Sequence, residues 1–128
     1  MTKTLVSEHI LYKDMLDNCP FLTFIIGDPI TTKWKYISKS FEKMFYPTKI
    51  NDVIDTPGIN FITPIQTTKV HTAIQKRSDL FLESFTFNFP GNSKQYKINV
   101  TSTFVNDNAY IYLQPNITLD IVDRFLKI

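Results

Sequence analysis

Two histidines and one cysteine are the side chains of this sequence best suited to chemistry, and their placement limits what they can do. His9 and His71 fall in separate stretches without recognisable partners, and Cys19 is the only cysteine. No set of Cys and His has the spacing of a metal site. There is no Gly-rich phosphate loop, no Ser-His-Asp constellation, and no pair of carboxylates placed for acid–base work. The chain is therefore read as a non-enzyme. A small α+β enzyme is the alternative of a different class, because a fold alone does not fix function. Glu83 stands among Phe81, Phe85 and Phe87 by strand parity. Facing inward it would need a partner, since a lone buried carboxylate is costly, and Lys97 lies on the wrong face of the next strand. The plainer reading puts Glu83 near a strand start, where the sheet opens to water.

These residues sit in a chain of 128, long enough for one domain with a real core. A net charge of +2, with scattered lysines, is too small to imply nucleic acid or an anionic membrane. No apolar run reaches the length of a membrane span, and no signal peptide precedes the first helix. A single cysteine forms no internal disulfide, so a reducing, cytoplasmic setting is expected. The Asn-x-Thr sequons at Asn99 and Asn116 then carry no meaning.

The elements that must position any site centre on Leu80 to Gln114. Period-two alternation predicts a strand over Leu80–Phe89, with Phe81, Glu83, Phe85, Phe87 and Phe89 on one face. Pro90-Gly91-Asn92-Ser93 turns the chain. A second strand covers Gln95–Val105, with Tyr96, Ile98, Val100, Ser102 and Phe104 alternating with polar neighbours. Asn106-Asp107-Asn108 turns again, and a third strand, Ala109–Gln114, stops at Pro115. Short connections make this an antiparallel meander. Earlier, Ser7 caps a helix over Glu8–Asn18, and Phe21–Ile26 and Lys33–Ile37 form a hairpin. Ser38 caps a helix to Tyr46, and Pro64 starts a longer one to Ser78, with Thr67, Val70, His71 and Ile74 on one face. Leu119–Ile128 predicts a last helix. Helices segregated between two groups of strands imply α+β with a five-stranded antiparallel sheet.

That order resembles the PAS sensory domain family from about Leu11 to Asp120. Tyr36-Ile37-Ser38-Lys39-Ser40-Phe41-Glu42-Lys43-Met44-Phe45 is similar to the family's second strand and following helix. Phe61-Ile62-Thr63-Pro64, then Val70 and Ile74, resembles its His-Pro-Glu-Asp stretch and long helix. Gln114-Pro115-Asn116-Ile117-Thr118 resembles its closing strand and Asp-Ile-Thr ending. The resemblance implies a sheet ordered 2-1-5-4-3, short helices on one face, and a helix at each terminus. The whole of 1–128 is then one domain: residues 1–19 a first helix, 20–118 the core, and 119–128 an output helix. It implies a regulatory sensory or dimerisation domain of a signal-transduction protein.

The resemblance also implies site residues. The position matching Gln114 points inward in the family, which puts Tyr110, Tyr112 and Gln114 inside, as a ligand wall or as polar groups that satisfy one another. The implied pocket is lined by Phe24, Phe41, Phe45, Ile62, Val70, Ile74, Phe85, Val100, Tyr112 and Gln114. It either admits a small apolar ligand or is filled by the chain's own Phe residues, and dense aromatics favour filling. Ala109, Ile111 and Leu113 would then be an outer apolar face. Terminal helices cover it, or a homodimer does, together with Leu11 and Met15. An effector domain or partner protein is the other expected contact. No cofactor is expected. Haem is an alternative because haem-binding members use a His on the long helix, where His71 lies. Flavin is another, but Gly58-Ile59-Asn60-Phe61 puts Phe61 where the light sensors carry their thiol.

Overall fold

The computed structural model describes residues 13–115. Residues 13–18 are helical (α1). The strands are β1 (Thr23–Gly27), β2 (Trp34–Ile37), β3 (Leu80–Asn88), β4 (Gln95–Val105) and β5 (Asn108–Pro115). Between β2 and β3 lie α2 (Ser40–Met44), α3 (Ile50–Val53), a 3-10 turn (Gly58–Phe61) and α4 (Pro64–Lys76). All strand pairs are antiparallel, in the order β2-β1-β5-β4-β3 that the resemblance implied. The expected last helix and Leu11 lie outside the described residues.

Local chemistry explains most boundaries. Gly91 between β3 and β4, and Asn106 between β4 and β5, take positive φ of 66° and 54°, which Gly and Asn tolerate best. Pro64 opens α4, where its missing N–H costs nothing. Arg77 ends α4 in the left-handed region. Its guanidinium lies 4.9 Å over the Phe104 ring and donates to the Asn106 carbonyl at 2.8 Å. That fastens the helix end to the β4–β5 turn. The expected Ser38 cap of α2 does not form: the N-cap position is Lys39, with no side-chain cap bond. The Ser38 hydroxyl accepts from the Phe24 N–H at 2.9 Å and joins Ser40 Oγ at 2.9 Å, while Asp17 Oδ1 accepts from the Lys39 N–H at 3.0 Å.

Two parity expectations fail, each for a register reason. Phe81 does not share a face with Phe85, Phe87 and Phe89: it is 77% exposed, and they are buried. Leu80 pairs with Ser102 and Glu83 with Val100, so β3 carries an extra residue there, and Leu82 takes φ 50°. A bulge of this kind turns the following side chains over. Glu83 does face the helices, and its partner is Lys69 of α4, at 3.4 Å. Both side chains are substantially exposed, so the pair adds little.

The second failure is β5. Tyr110, Tyr112 and Gln114 lie on the outer face, and Ala109, Ile111 and Leu113 face the helices. Leu113 pairs with Thr23 and Val100, both buried, and Leu113 itself is fully buried. Directly paired residues point to the same side, so a one-residue slip relative to expectation reverses the whole strand. Ala109, Ile111 and Leu113 are therefore not an exposed interface. The outer face instead carries Phe24, Tyr36, Tyr110 and Tyr112, with the Phe24 ring 5.2–6.2 Å from the other three.

Candidate functional site

The helix side of the sheet is hollow at one end. A cavity of about 90 Å³ lies under α4, against β1, β4 and β5. From α4 come Val70, Ala73 and Ile74, spaced i, i+3, i+4 so that one helical face meets the sheet. From β4 come Val100, Ser102 and Phe104, and from β5 Ala109, Ile111 and Leu113. Leu80, Phe85 and Phe87 wall it from β3. Ile59 and Ile62 close it beside the 3-10 turn, and Gly27, Asp28, Pro29, Thr32 and Trp34 border it from the first hairpin. The hollow exists because Gly27, Ala73, Ser102 and Ala109 are small where larger side chains would meet. Gly58, also on the wall, is a close approach: a Cβ there would overlap Trp34 Nε1.

Five of the ten expected pocket residues line this cavity: Ile62, Val70, Ile74, Phe85 and Val100. Phe41 and Phe45 are fully buried but sit in the adjoining aromatic cluster, their rings 4.9 Å apart. Phe24, Tyr112 and Gln114 are on the opposite face of the sheet, for the register reason above. Sequence reasoning missed the β5 lining, which correct parity would have supplied, and the first-hairpin loop, for which no sequence signal stands out. His71 is exposed, between the cavity-lining Val70 and the next wall residues, and does not itself line the cavity. It is not placed to ligate a group held there. Phe61, at the thiol position of the light sensors, is buried against Trp34 and Phe89 with centroids at 5.2 and 5.6 Å. Met15 is 61% exposed on α1.

The loop at Asp28–Lys33 is built by local bonds. The Asp28 carboxylate accepts from the Ile30 N–H at 2.8 Å, and the Thr32 N–H donates to the Asp28 carbonyl at 2.8 Å. The Ile30 N–H, with the amide and hydroxyl of Thr31 and the charge of Lys35, holds the Asp28 carboxyl below its ordinary value against desolvation. Thr32 sits at φ 59°, unusual for a β-branched residue. The Gly58 N–H donates to its carbonyl at 2.8 Å, tying the loop to the 3-10 turn. On the outer face, burial and then the charge and hydrogen bond of Asp17 push the Tyr36 phenol up; its OH donates to Asp17 Oδ1 at 3.3 Å.

Among the described residues no group of three or more His, Cys, Asp or Glu could hold a metal ion, and no helix is long and apolar enough to cross a membrane. No family model matches the sequence, and no curated protein matches it either. Solved structures do. The PAS domain of an HTR-like protein from Haloarcula marismortui superposes with TM-score 0.67 at 9% identity, over 88% of this chain and 93% of that one. The PAS domain of the RpfR quorum-sensing receptor from Cronobacter turicensis, in complex with BDSF, gives 0.59 at 13% identity, over 74% and 93%. The chromophore-binding domain of a bacteriophytochrome from R. palustris gives 0.60 at 10% identity; the match covers 75% of this chain but only 30% of that longer one. With the strand order and the placing of helices on one sheet face, these superpositions identify the fold as that of the PAS domains.

Proposed function

We propose that the chain is a sensory domain of a signal-transduction protein, and that its input is a small, largely apolar molecule held in the helix-side cavity. The cavity itself carries the reading. Protein interiors pack to crystal-like density with few voids larger than a water, and this core contains seven tightly grouped aromatic residues beside a hollow of about 90 Å³. An apolar hollow of that kind is a binding site for an apolar guest. A receptor PAS domain in complex with BDSF is among the structural neighbours, which supports a ligand in the same fold. The chemistry offered is recognition. The homodimer and effector expectations pass to the outer sheet face, at Phe24, Tyr36, Tyr110 and Tyr112; a protein that sediments as a monomer at micromolar concentration removes the homodimer.

Trp34 is the only tryptophan and borders the cavity, so it is a built-in reporter. Benzene titrated into purified protein should shift the Trp34 emission and raise Tm with increasing concentration, as mass action requires. Native mass spectrometry of the freshly purified protein should reveal any co-purifying small apolar mass. Unchanged emission and Tm throughout, with no bound mass, would overturn the ligand reading.

A further inference from the structure

The cavity wall is apolar but not featureless. Among the described residues Asp28 is the one charged residue that borders it, and no Lys or Arg does. Ser102 is 8% exposed and sits on the wall between Leu80 of β3 and Ile111 of β5, its paired neighbours. Its hydroxyl makes no side-chain hydrogen bond among the described residues, although the next hydroxyl along, Thr101 Oγ1 on the other face, accepts from the Leu82 N–H at 3.2 Å. Thr32 borders the same cavity, and its Oγ1 is buried without a partner. Buried hydroxyls without partners are rare, and one on a cavity wall is a ready partner for a hydrogen-bonding atom of a guest. Thr32 Oγ1 is such a group, and the free Ser102 hydroxyl lies on the same apolar wall.

From this, and resting on the sensory reading above, we infer that the guest is uncharged and carries one hydrogen-bonding atom on an apolar body, and that Ser102 receives that atom while Asp28 turns anions away. A ketone, ester or alcohol meets both requirements. A carboxylate supplies the hydrogen-bonding atom but not the neutrality: no cation among the described wall residues offsets its desolvation, and the ionised Asp28 repels it. A pure hydrocarbon fits the volume but leaves the hydroxyls unpaired, which costs affinity.

Three probes of similar shape separate these cases: cyclohexanone, methylcyclohexane and cyclohexanecarboxylate, each titrated against the Trp34 emission and Tm of the full chain. Cyclohexanone should bind tightest and the carboxylate weakest. Ser102→Ala should weaken cyclohexanone about tenfold, the size of one buried hydrogen bond, and leave methylcyclohexane unchanged or slightly tighter. Asp28→Asn should bring the carboxylate closer to the ketone. If cyclohexanone and methylcyclohexane bind wild type equally, or the carboxylate binds tightest, the polar and charge selection is wrong while the sensory reading stands. If benzene also fails to bind, the sensory reading falls with it. The wild-type ranking alone decides the matter should a variant fail to fold.

Discussion

At one end of the helix-side face, Phe89 has six other aromatic rings with centroids 4.9–6.5 Å from its own. At the other end, Gly27, Ala73, Ser102 and Ala109 face a hollow. Trp34, Phe85 and Phe87 divide the two, because they line the cavity, and Trp34 and Phe87 also pack against Phe89. One sheet face therefore holds a close-packed half and an open half. The difference lies in side-chain volume rather than polarity, since both halves are apolar. Side chains on the rim of a void lack partner atoms on one side and forgo that dispersion energy. The aromatic half thus supplies stability, which frees the other half to stay open.

The largest effect should come from placing charge at the hollow. Ile111→Asp puts a carboxylate on the cavity wall, with no cation among the described wall residues to pair with it, and should cost several kcal/mol. Circular dichroism should register loss of the fold. A folded protein that merely changed its oligomeric state would mean that Ile111 faces outward. Phe89→Ala removes the hub of the packed half and should cost about 3–5 kcal/mol in urea denaturation. The same truncation at Ile74, on the cavity rim, should cost distinctly less; equal costs would erase the contrast between the halves. Gly58→Ala drives a methyl into the Trp34 indole. The ring must shift, which should move Trp34 emission and lower stability by about 1–3 kcal/mol. Ala109→Val fills part of the hollow and should be neutral or stabilise by up to about 1 kcal/mol, while abolishing binding of cyclohexanone. A loss of stability there would mean that no free volume exists.

The smallest effect lies outside both halves. Tyr36 has its phenol pushed above the ordinary value of 10.0, first by burial and then by Asp17. A group whose folded value is raised adds stability below its unfolded value and loses it as pH climbs through the folded one. Asp17→Asn should therefore move the Tyr36 titration down part of the way, since burial remains the larger cause. Phenolate absorbance measured against Tyr36→Phe isolates this one phenol. No movement would mean that the Asp17 contact does not form.

The meander, the proline-bounded helices and the α+β class follow from the amino-acid sequence alone. Period-two and helical spacing, Pro64, Gly91 and Pro115 act within a few residues of themselves, and local sterics decide their outcome. Val70, Ile74, Phe85 and Val100 were legible as wall residues for the same reason, each lying on the apolar side of its own element. β5 was not legible from within. Ala109-Ile111-Leu113 and Tyr110-Tyr112-Gln114 are both faces a sheet could bury, and nothing in those residues chooses between them. Pairing with β1 and β4 decides it, because Leu113 must share a side with Thr23 and Val100. Phe81 was misplaced because a bulge at Leu82 interrupts an alternation that reads as unbroken. The cavity depends on tertiary structure altogether. A void is the volume left between Gly27, Ala73, Ser102 and Ala109 once four separate elements have packed, and no single stretch of chain records it.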